Sequence, residues 1–269
     1  MPRLRGGLRC IRVSGLFSLT NIRDVVFPFF SVSPAPDGIK FDSFEGTGFI
    51  IGCRGFALTA GHVARRLRIG STVAGFVAAS TSWYGFSVLD VELHATEDIA
   101  VVRLDNNPSG KPWGSWLRPC TRWEGASRNY GLWGYPEDIY HEIVIDDMAK
   151  GRPDLIFSQG HIRRRMSNIP LTSIRGNHFF ELSAIAGAGC SGSPIVVWPP
   201  IAGAAWEVIG IYSGERFSPP SLDSASSPVS VGYAVRFDEV SEWVPKLLGH
   251  SISDEEPFIP GQPFPHHDA

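Results

Sequence analysis

The chain has 269 residues, of which 43% are hydrophobic and 19% charged, so it can form a substantial core in one or two domains. Its 24 Lys and Arg against 27 Asp and Glu give a net charge of −3, which argues against nucleic acid as a partner. No run approaches the ~20 apolar residues of a transmembrane helix. Polar residues interrupt the N-terminal region, unlike a signal peptide. We therefore predict no membrane association and a cytoplasmic location.

An N-terminal extension over residues 1–19 precedes two sets of short strand-like segments. The first set lies at 25–32, 46–51, 56–60, 71–78, 86–93 and 99–104, and the second at 130–134, 142–145, 155–159, 178–182, 195–197, 208–212 and 229–237. Gly and Pro residues at 106–114 mark the predicted joint between the sets. Short strands at this spacing predict an all-β sandwich or barrel.

The C-terminal part of the chain has a different pattern. Apolar residues recur with a helical period at Val240, Trp243, Val244, Leu247 and Leu248. We therefore predict a closing helix over 238–249. Beyond it, residues 251–269 are rich in proline and acidic side chains, a composition typical of a poorly ordered tail.

Two polar residues stand at the ends of predicted strands. His62 follows the apolar run 56–61, and Asp98 precedes the β-branched run 99–104. Taken singly, such a histidine is usually structural and such an aspartate usually belongs to a turn. A serine in a matching setting further along the chain makes a joint catalytic role the better interpretation.

That serine is Ser191, within Gly189-Cys190-Ser191-Gly192-Ser193-Pro194, directly before the apolar run 195–198. The flanking glycines accept backbone angles closed to other residues and leave the serine unobstructed. Such a loop can direct backbone N–H groups to one point beside the serine oxygen, as an oxyanion site requires.

These motifs resemble the trypsin-like serine peptidases of the chymotrypsin fold, and among them the bacterial HtrA proteases. The matching stretches lie at 46–50, 58–63, 98–104, 134–136, 189–194 and 232–235, within about residues 20–250. The resemblance implies a peptidase domain of two six-stranded β-barrels with a C-terminal helix. The N-terminal barrel is expected at about 20–110, the C-terminal barrel at about 120–237 and the closing helix at 238–249. We expect no PDZ module after it.

The resemblance also assigns roles to the site residues. Ser191 would attack a peptide carbonyl, His62 would act as the general base, and Asp98 would orient the imidazole. The backbone N–H groups of Gly189 and Ser191 would form the oxyanion hole. No metal or other cofactor is expected.

The substrate pocket is assigned to five residues by the same resemblance: Ile185, Ser213, Gly214, Glu215 and Val231. Ile185 and Val231 predict an apolar pocket for a medium-sized aliphatic or aromatic side chain. In the alternative, Glu215 turns inward to accept Lys or Arg. We favour a solvated position for Glu215 at the rim.

The four cysteines are Cys10, Cys53, Cys120 and Cys190, without metal-ligand spacing, and we predict reduced thiols. Cys190 stands where digestive members of the family carry an aspartate that binds a new N-terminus, so activation by that ion pair is excluded. It is either a redox sensor or, more commonly for such a thiol, a buried small residue. His266-His267 is too short to indicate a metal site.

We therefore predict a serine endopeptidase that cleaves a protein partner at limited positions. The alternatives are a non-catalytic peptide-binding protein of the same fold and a small-ester hydrolase. The basic run 161–165 is interpreted as solvated surface rather than a nucleic-acid patch. The substrate and the oligomeric state stay open.

Overall fold

The first barrel is built from six antiparallel strands of the N-terminal half. The computed structural model describes residues 22–254 apart from 36–37, 53, 80–81, 106–115, 139, 146–147, 199–205 and 219–228. The strands are β1 (Val26–Ala35), β2 (Gly38–Ile51), β3 (Phe56–Ala60), β4 (Thr72–Ala79), β5 (Ser82–Leu93) and β6 (Ile99–Leu104). They pair in the order β1-β2-β3-β6-β5-β4 and close between β1 and β4. A single helical turn, α1 (Gly61–Ala64), follows β3.

The second barrel has six strands as well, and its sheet closes between β13 and β14. Its strands are β8 (Asn129–Gly134), β11 (Ile156–Met166), β12 (Phe179–Leu182), β13 (Pro194–Val197), β14 (Glu207–Ser218) and β15 (Val229–Arg236). The short strand β7 (Arg118–Pro119) pairs with β14, and β9 (Tyr140–Ile145) forms a separate hairpin with β10 (Met148–Pro153). The predicted all-β fold with two six-stranded barrels is confirmed.

Strands of the second barrel bury side chains on both faces, and the side chains on the outer face pack in a core shared with the first barrel. On β13, Ile195 and Val197 belong to the interior of the second barrel, whereas Val196 belongs to a core that includes the first. Successive side chains of a strand point to opposite faces, so a continuous apolar run fits a strand covered on both sides. Each fully buried side chain of this size contributes about 1.5–3 kcal/mol. The turn before β13, which holds Ser191, is therefore fixed where the barrels meet.

The predicted closing helix over 238–249 is wrong. A 3-10 turn spans Phe237–Val240 and separate turns follow it. Pro245 has no N–H to donate and disfavours a helical conformation at Val244, which is 56% exposed. The Glu92 carboxylate of β5 instead accepts hydrogen bonds from the Lys246 and Leu247 N–H groups at 2.9 and 2.8 Å.

Chain packing continues past the predicted end of the domain at residue 250. A further 3-10 turn spans Ile252–Asp254, and Ile252 is fully buried; another, Ile22–Asp24, precedes β1. The predicted N-terminal extension, the joint at 106–114 and most of the predicted tail lie outside the described residues. No helix in the described part of the chain is long and apolar enough to cross a membrane.

Candidate active site

His62 projects from α1, directly after the fully buried strand β3. The Arg65 N–H donates to the Gly61 carbonyl at 3.1 Å, which closes the helical turn, and Val63 is buried beside it. The His62 side chain itself is 39% exposed. The turn thus anchors its backbone in the first barrel and leaves the ring accessible.

Asp98 orients His62 through two hydrogen bonds. Ala60 pairs with Ile99 in the β3–β6 register, so the end of one strand meets the start of the other. Asp98 Oδ1 accepts from the His62 backbone N–H at 2.7 Å, and Oδ2 lies 2.7 Å from His62 Nδ1. The Asp98 side chain is 1% exposed. Because a carboxylate accepts, Nδ1 carries the proton and Nε2 of the neutral ring is left to accept one.

The turn at 94–98 that presents Asp98 is held by His94. The N–H groups of Thr96 and Glu97 donate to His94 Nδ1 at 3.2 and 2.9 Å, and the His94 N–H donates to the Ile99 carbonyl at 3.0 Å. Burial lowers the pKa of His94, although the Glu97 charge opposes this, so Nδ1 remains an acceptor.

Glu97 joins the same turn to the second barrel. Its side chain is 3% exposed, and Oε2 accepts from the N–H groups of Asn177 and His178 at 3.1 and 3.3 Å. Its Oε1 lies 3.3 Å from His178 Nδ1. Arg175 adds a hydrogen bond to the Thr96 carbonyl at 3.2 Å. No local sequence pattern indicates a role for Glu97, because its partners lie about eighty residues away along the chain.

Replacing Glu97 with alanine is expected to lower the free energy of unfolding by about 2–3 kcal/mol, since two backbone N–H groups lose their buried acceptor. Urea unfolding measures this loss. Glu97→Gln, which keeps one carbonyl oxygen, is the matched variant and is expected to lose less. Equal stability of the alanine variant and the wild type would contradict a joining role for this carboxylate.

Ser191 lies in a tight turn fastened to both barrels. Three glycines of this region have positive φ angles: Gly187, Gly189 and Gly192, at +89°, +89° and +94°. The Thr47 N–H of β2 donates to the Ser191 carbonyl at 2.9 Å, and the Gly192 N–H donates to the Tyr212 carbonyl of β14 at 2.8 Å. A Cβ at residue 192 would lie 1.9 Å from the Thr47 carbonyl oxygen, so glycine is required there.

Gly46 of β2 separates the Ser191 backbone from the helical turn that holds His62. A Cβ on Gly46 would lie 2.7 Å from Val63 Cγ2 and 3.2 Å from the Ser191 carbonyl oxygen. The residue after His62 and the Ser191 backbone are therefore neighbours. Among the described residues, no hydrogen bond joins Ser191 Oγ to His62, and such bonds are often long before substrate binds.

The two N–H groups assigned to an oxyanion hole are unpaired within the described chain. Neither Gly189 N–H nor Ser191 N–H donates to another described residue. The Gly189 carbonyl, in contrast, accepts from Thr47 Oγ1 at 3.0 Å, which fixes the orientation of that residue. Both donors are thus available to a substrate oxygen.

The Cys190 thiol between these two residues is buried. It is 2% exposed and donates to the Ala186 carbonyl at 3.1 Å. Burial, with the Glu215 and Asp138 charges as smaller causes, raises the pKa of Cys190 to about 12. These properties favour the buried small residue over the redox sensor.

We expect Cys190 to resist alkylation in the folded protein, because at pH 8 only about one thiol in ten thousand would be ionised. Iodoacetamide treatment followed by peptide mass spectrometry measures this. The same thiol after denaturation in urea is the control and should react readily. Rapid modification of native Cys190 would restore the redox interpretation.

Of the residues assigned to the substrate pocket, Ile185 belongs to the segment before Ser191, and Glu215 is hydrogen-bonded to that segment. Gly214 and Glu215 of β14 pair with Tyr233 and Gly232 of β15, and Val231 is buried on that strand. Glu215, predicted at the solvated rim, is half-buried and makes hydrogen bonds within the chain. Its Oε2 accepts from the Tyr212 hydroxyl at 3.0 Å and from the Gly187 N–H at 3.3 Å. Ser213 is buried and Ile185 is half-buried.

The basic run 161–165 lies on β11, and its arginines pair within the molecule. Arg163 and Arg164 both form ion pairs with Glu181. Arg165 is bonded to Asp238 and lies over the Trp123 ring, with a side chain only 17% exposed. The predicted solvated surface is therefore wrong for Arg165, whose partners lie elsewhere in the sequence.

No group of three or more His, Cys, Asp or Glu side chains within the described ranges could hold a metal ion. Cys120 and Cys190 are free thiols. Cys10, Cys53 and His266-His267 lie outside those ranges. The absence of a metal cofactor stays a prediction.

Two closed six-stranded antiparallel β-barrels with little helix define the chymotrypsin-like serine protease fold, which this chain has. The HtrA-type protease AlgW with a decapeptide is similar, with a TM-score of 0.50 and 16% identity over 79% of this chain and 60% of that chain. The inactive form of the Rv3671c protease matches with a TM-score of 0.47 and 18% identity, over 82% and 87%. No family model and no curated sequence matches this chain.

Proposed function

We propose that this protein is a serine endopeptidase that cleaves protein or peptide substrates through an acyl-enzyme. Ser191 is the nucleophile, His62 the general base and Asp98 the group that orients the base. The observation that carries the proposal is the buried Asp98 carboxylate, which holds His62 through two 2.7 Å hydrogen bonds beside the Ser191 turn. The protease fold adds support at the level of the class.

In the first half of the reaction, Ser191 Oγ attacks the peptide carbonyl while His62 Nε2 takes the hydroxyl proton. The negative charge that develops on the carbonyl oxygen is stabilised by the Gly189 and Ser191 N–H groups, each worth about 3 kcal/mol. His62 then returns the proton to the leaving amine. A water molecule, activated by the same imidazole, hydrolyses the acyl-enzyme.

Asp98 contributes without accepting the proton itself. Its position keeps the Nδ1–H tautomer of His62 and stabilises the imidazolium that forms during attack. Full burial of the carboxylate strengthens this interaction, because little solvent screens it.

Labelling with a fluorophosphonate tests the proposal, since the reagent requires an activated serine and no particular substrate. We expect a single adduct, located on Ser191 by peptide mass spectrometry, together with cleavage of an unfolded protein such as casein. Absence of an adduct would favour the non-catalytic peptide-binding protein. An adduct with ester hydrolysis but no cleavage of any peptide library would favour the small-ester hydrolase.

Cleavage at limited positions in a protein partner is part of the proposal, and comparison of cleavage products from folded and unfolded proteins tests it. The cytoplasmic location stays a prediction from the sequence.

A further inference from the structure

We propose that Glu215 makes the substrate pocket selective for a lysine or arginine immediately before the cleaved bond. This inference rests on the proposed endopeptidase function and names its substrate class. It concerns a carboxylate that is held beside the backbone leading into the Ser191 turn, where the substrate side chain is expected.

The position of the carboxylate is set by two elements. Glu215 pairs with Gly232 in the β14–β15 register, and its Oε2 reaches the Tyr212 hydroxyl and the Gly187 N–H. The Tyr212 hydroxyl in turn accepts from the Ala186 N–H at 3.1 Å. The carboxylate is thus held against the segment that leads into the Ser191 turn.

No cation neutralises this carboxylate within the described residues. Glu215 forms no ion pair there, and its Oε1 makes no hydrogen bond to a described residue. The neighbouring Arg216 is exposed, and successive side chains of a strand point to opposite faces. A carboxylate offers about four acceptor positions, so two are left for a donor from outside the protein.

The rest of the pocket suits the stem of a long cationic side chain. Ile185, two residues before Gly187, is half-buried and offers apolar surface to methylene groups. A charge that leaves water needs a partner of opposite sign. Glu215 supplies such a partner beside the segment that leads into the Ser191 turn.

The negative charge also acts on the groups around it. Glu215 contributes to raising the pKa of the Cys190 thiol and of the Tyr212 hydroxyl, after the larger effect of burial. The Glu215 charge therefore acts electrostatically on two buried groups, the Cys190 thiol and the Tyr212 hydroxyl.

Two peptides that differ only in arginine or citrulline before the cleaved bond test the inference, because citrulline keeps the shape and loses the charge. We expect kcat/KM of the wild type to favour arginine by about 100-fold. In Glu215→Gln the ratio should fall below about 5-fold. Rates are expressed per active site, as titrated with the fluorophosphonate.

Glu242→Gln is the matched control, since Glu242 is exposed and makes no hydrogen bond or ion pair to another described residue. It should retain the wild-type ratio. Equal cleavage of both peptides by the wild type, or a preference for small or aliphatic residues, would overturn the inference without any variant. Failure of the wild type to label would instead reject the endopeptidase function, and the two outcomes are therefore distinguishable.

Discussion

Replacing Ser191 with alanine is expected to lower kcat by roughly 10⁶-fold, to the level left by binding and the oxyanion site. The reason is the loss of the nucleophile itself, since the hydrogen bond of Ser191 to Thr47 is made by its backbone and is kept in the variant. His62→Ala should have an effect of similar size, and the double variant should resemble either single one, since the residues act as a unit. Peptide cleavage at saturating substrate measures each kcat.

Ser193→Ala is the control within the same turn. Its hydroxyl is buried without a hydrogen-bond partner in the described part of the chain, so its removal should leave cleavage unchanged. Circular dichroism checks that all variants fold. Wild-type cleavage by Ser191→Ala would show that another residue is the nucleophile.

A second large effect is expected for Asp98→Asn, which should lower kcat by about 10⁴-fold with little change in the fold. The carboxylate accepts from the His62 backbone N–H and faces Nδ1 at the same time. An asparagine has one acceptor oxygen, and if that oxygen stays with the backbone N–H, its amide N–H groups face Nδ1. The imidazole then carries its proton on Nε2 and cannot accept the serine proton.

Asp105→Asn is the matched substitution at the end of β6, because Asp105 is exposed. It should retain wild-type activity in the same peptide assay. Should Asp98→Asn cleave at the wild-type rate, Asp98 would be a structural residue of the strand end, and the orientation of His62 would need another source.

Local patterns in the sequence predicted the strands well. Each predicted strand overlaps an observed one, because apolar runs bounded by glycine and proline leave few other conformations. The closing helix, in contrast, was predicted from its apolar period and does not form. Pro245 disfavours the helical conformation there, and the backbone N–H groups after it donate to the Glu92 side chain of a distant strand. Apolar residues at a helical spacing do not predict hydrogen bonds to residues that are distant in the sequence.

The sequence by itself determined the all-β architecture and the three candidate catalytic residues, because each stands at a strand end or in a glycine turn that its neighbours define. Only the tertiary structure decided how those residues are supported and where Glu215 points. Glu97 meets His178, and Glu215 meets Gly187, across separations of 81 and 28 residues. Contacts of that kind depend on how the barrels close and meet, which no local spacing encodes. They place the Glu215 carboxylate against the backbone that leads into the Ser191 turn.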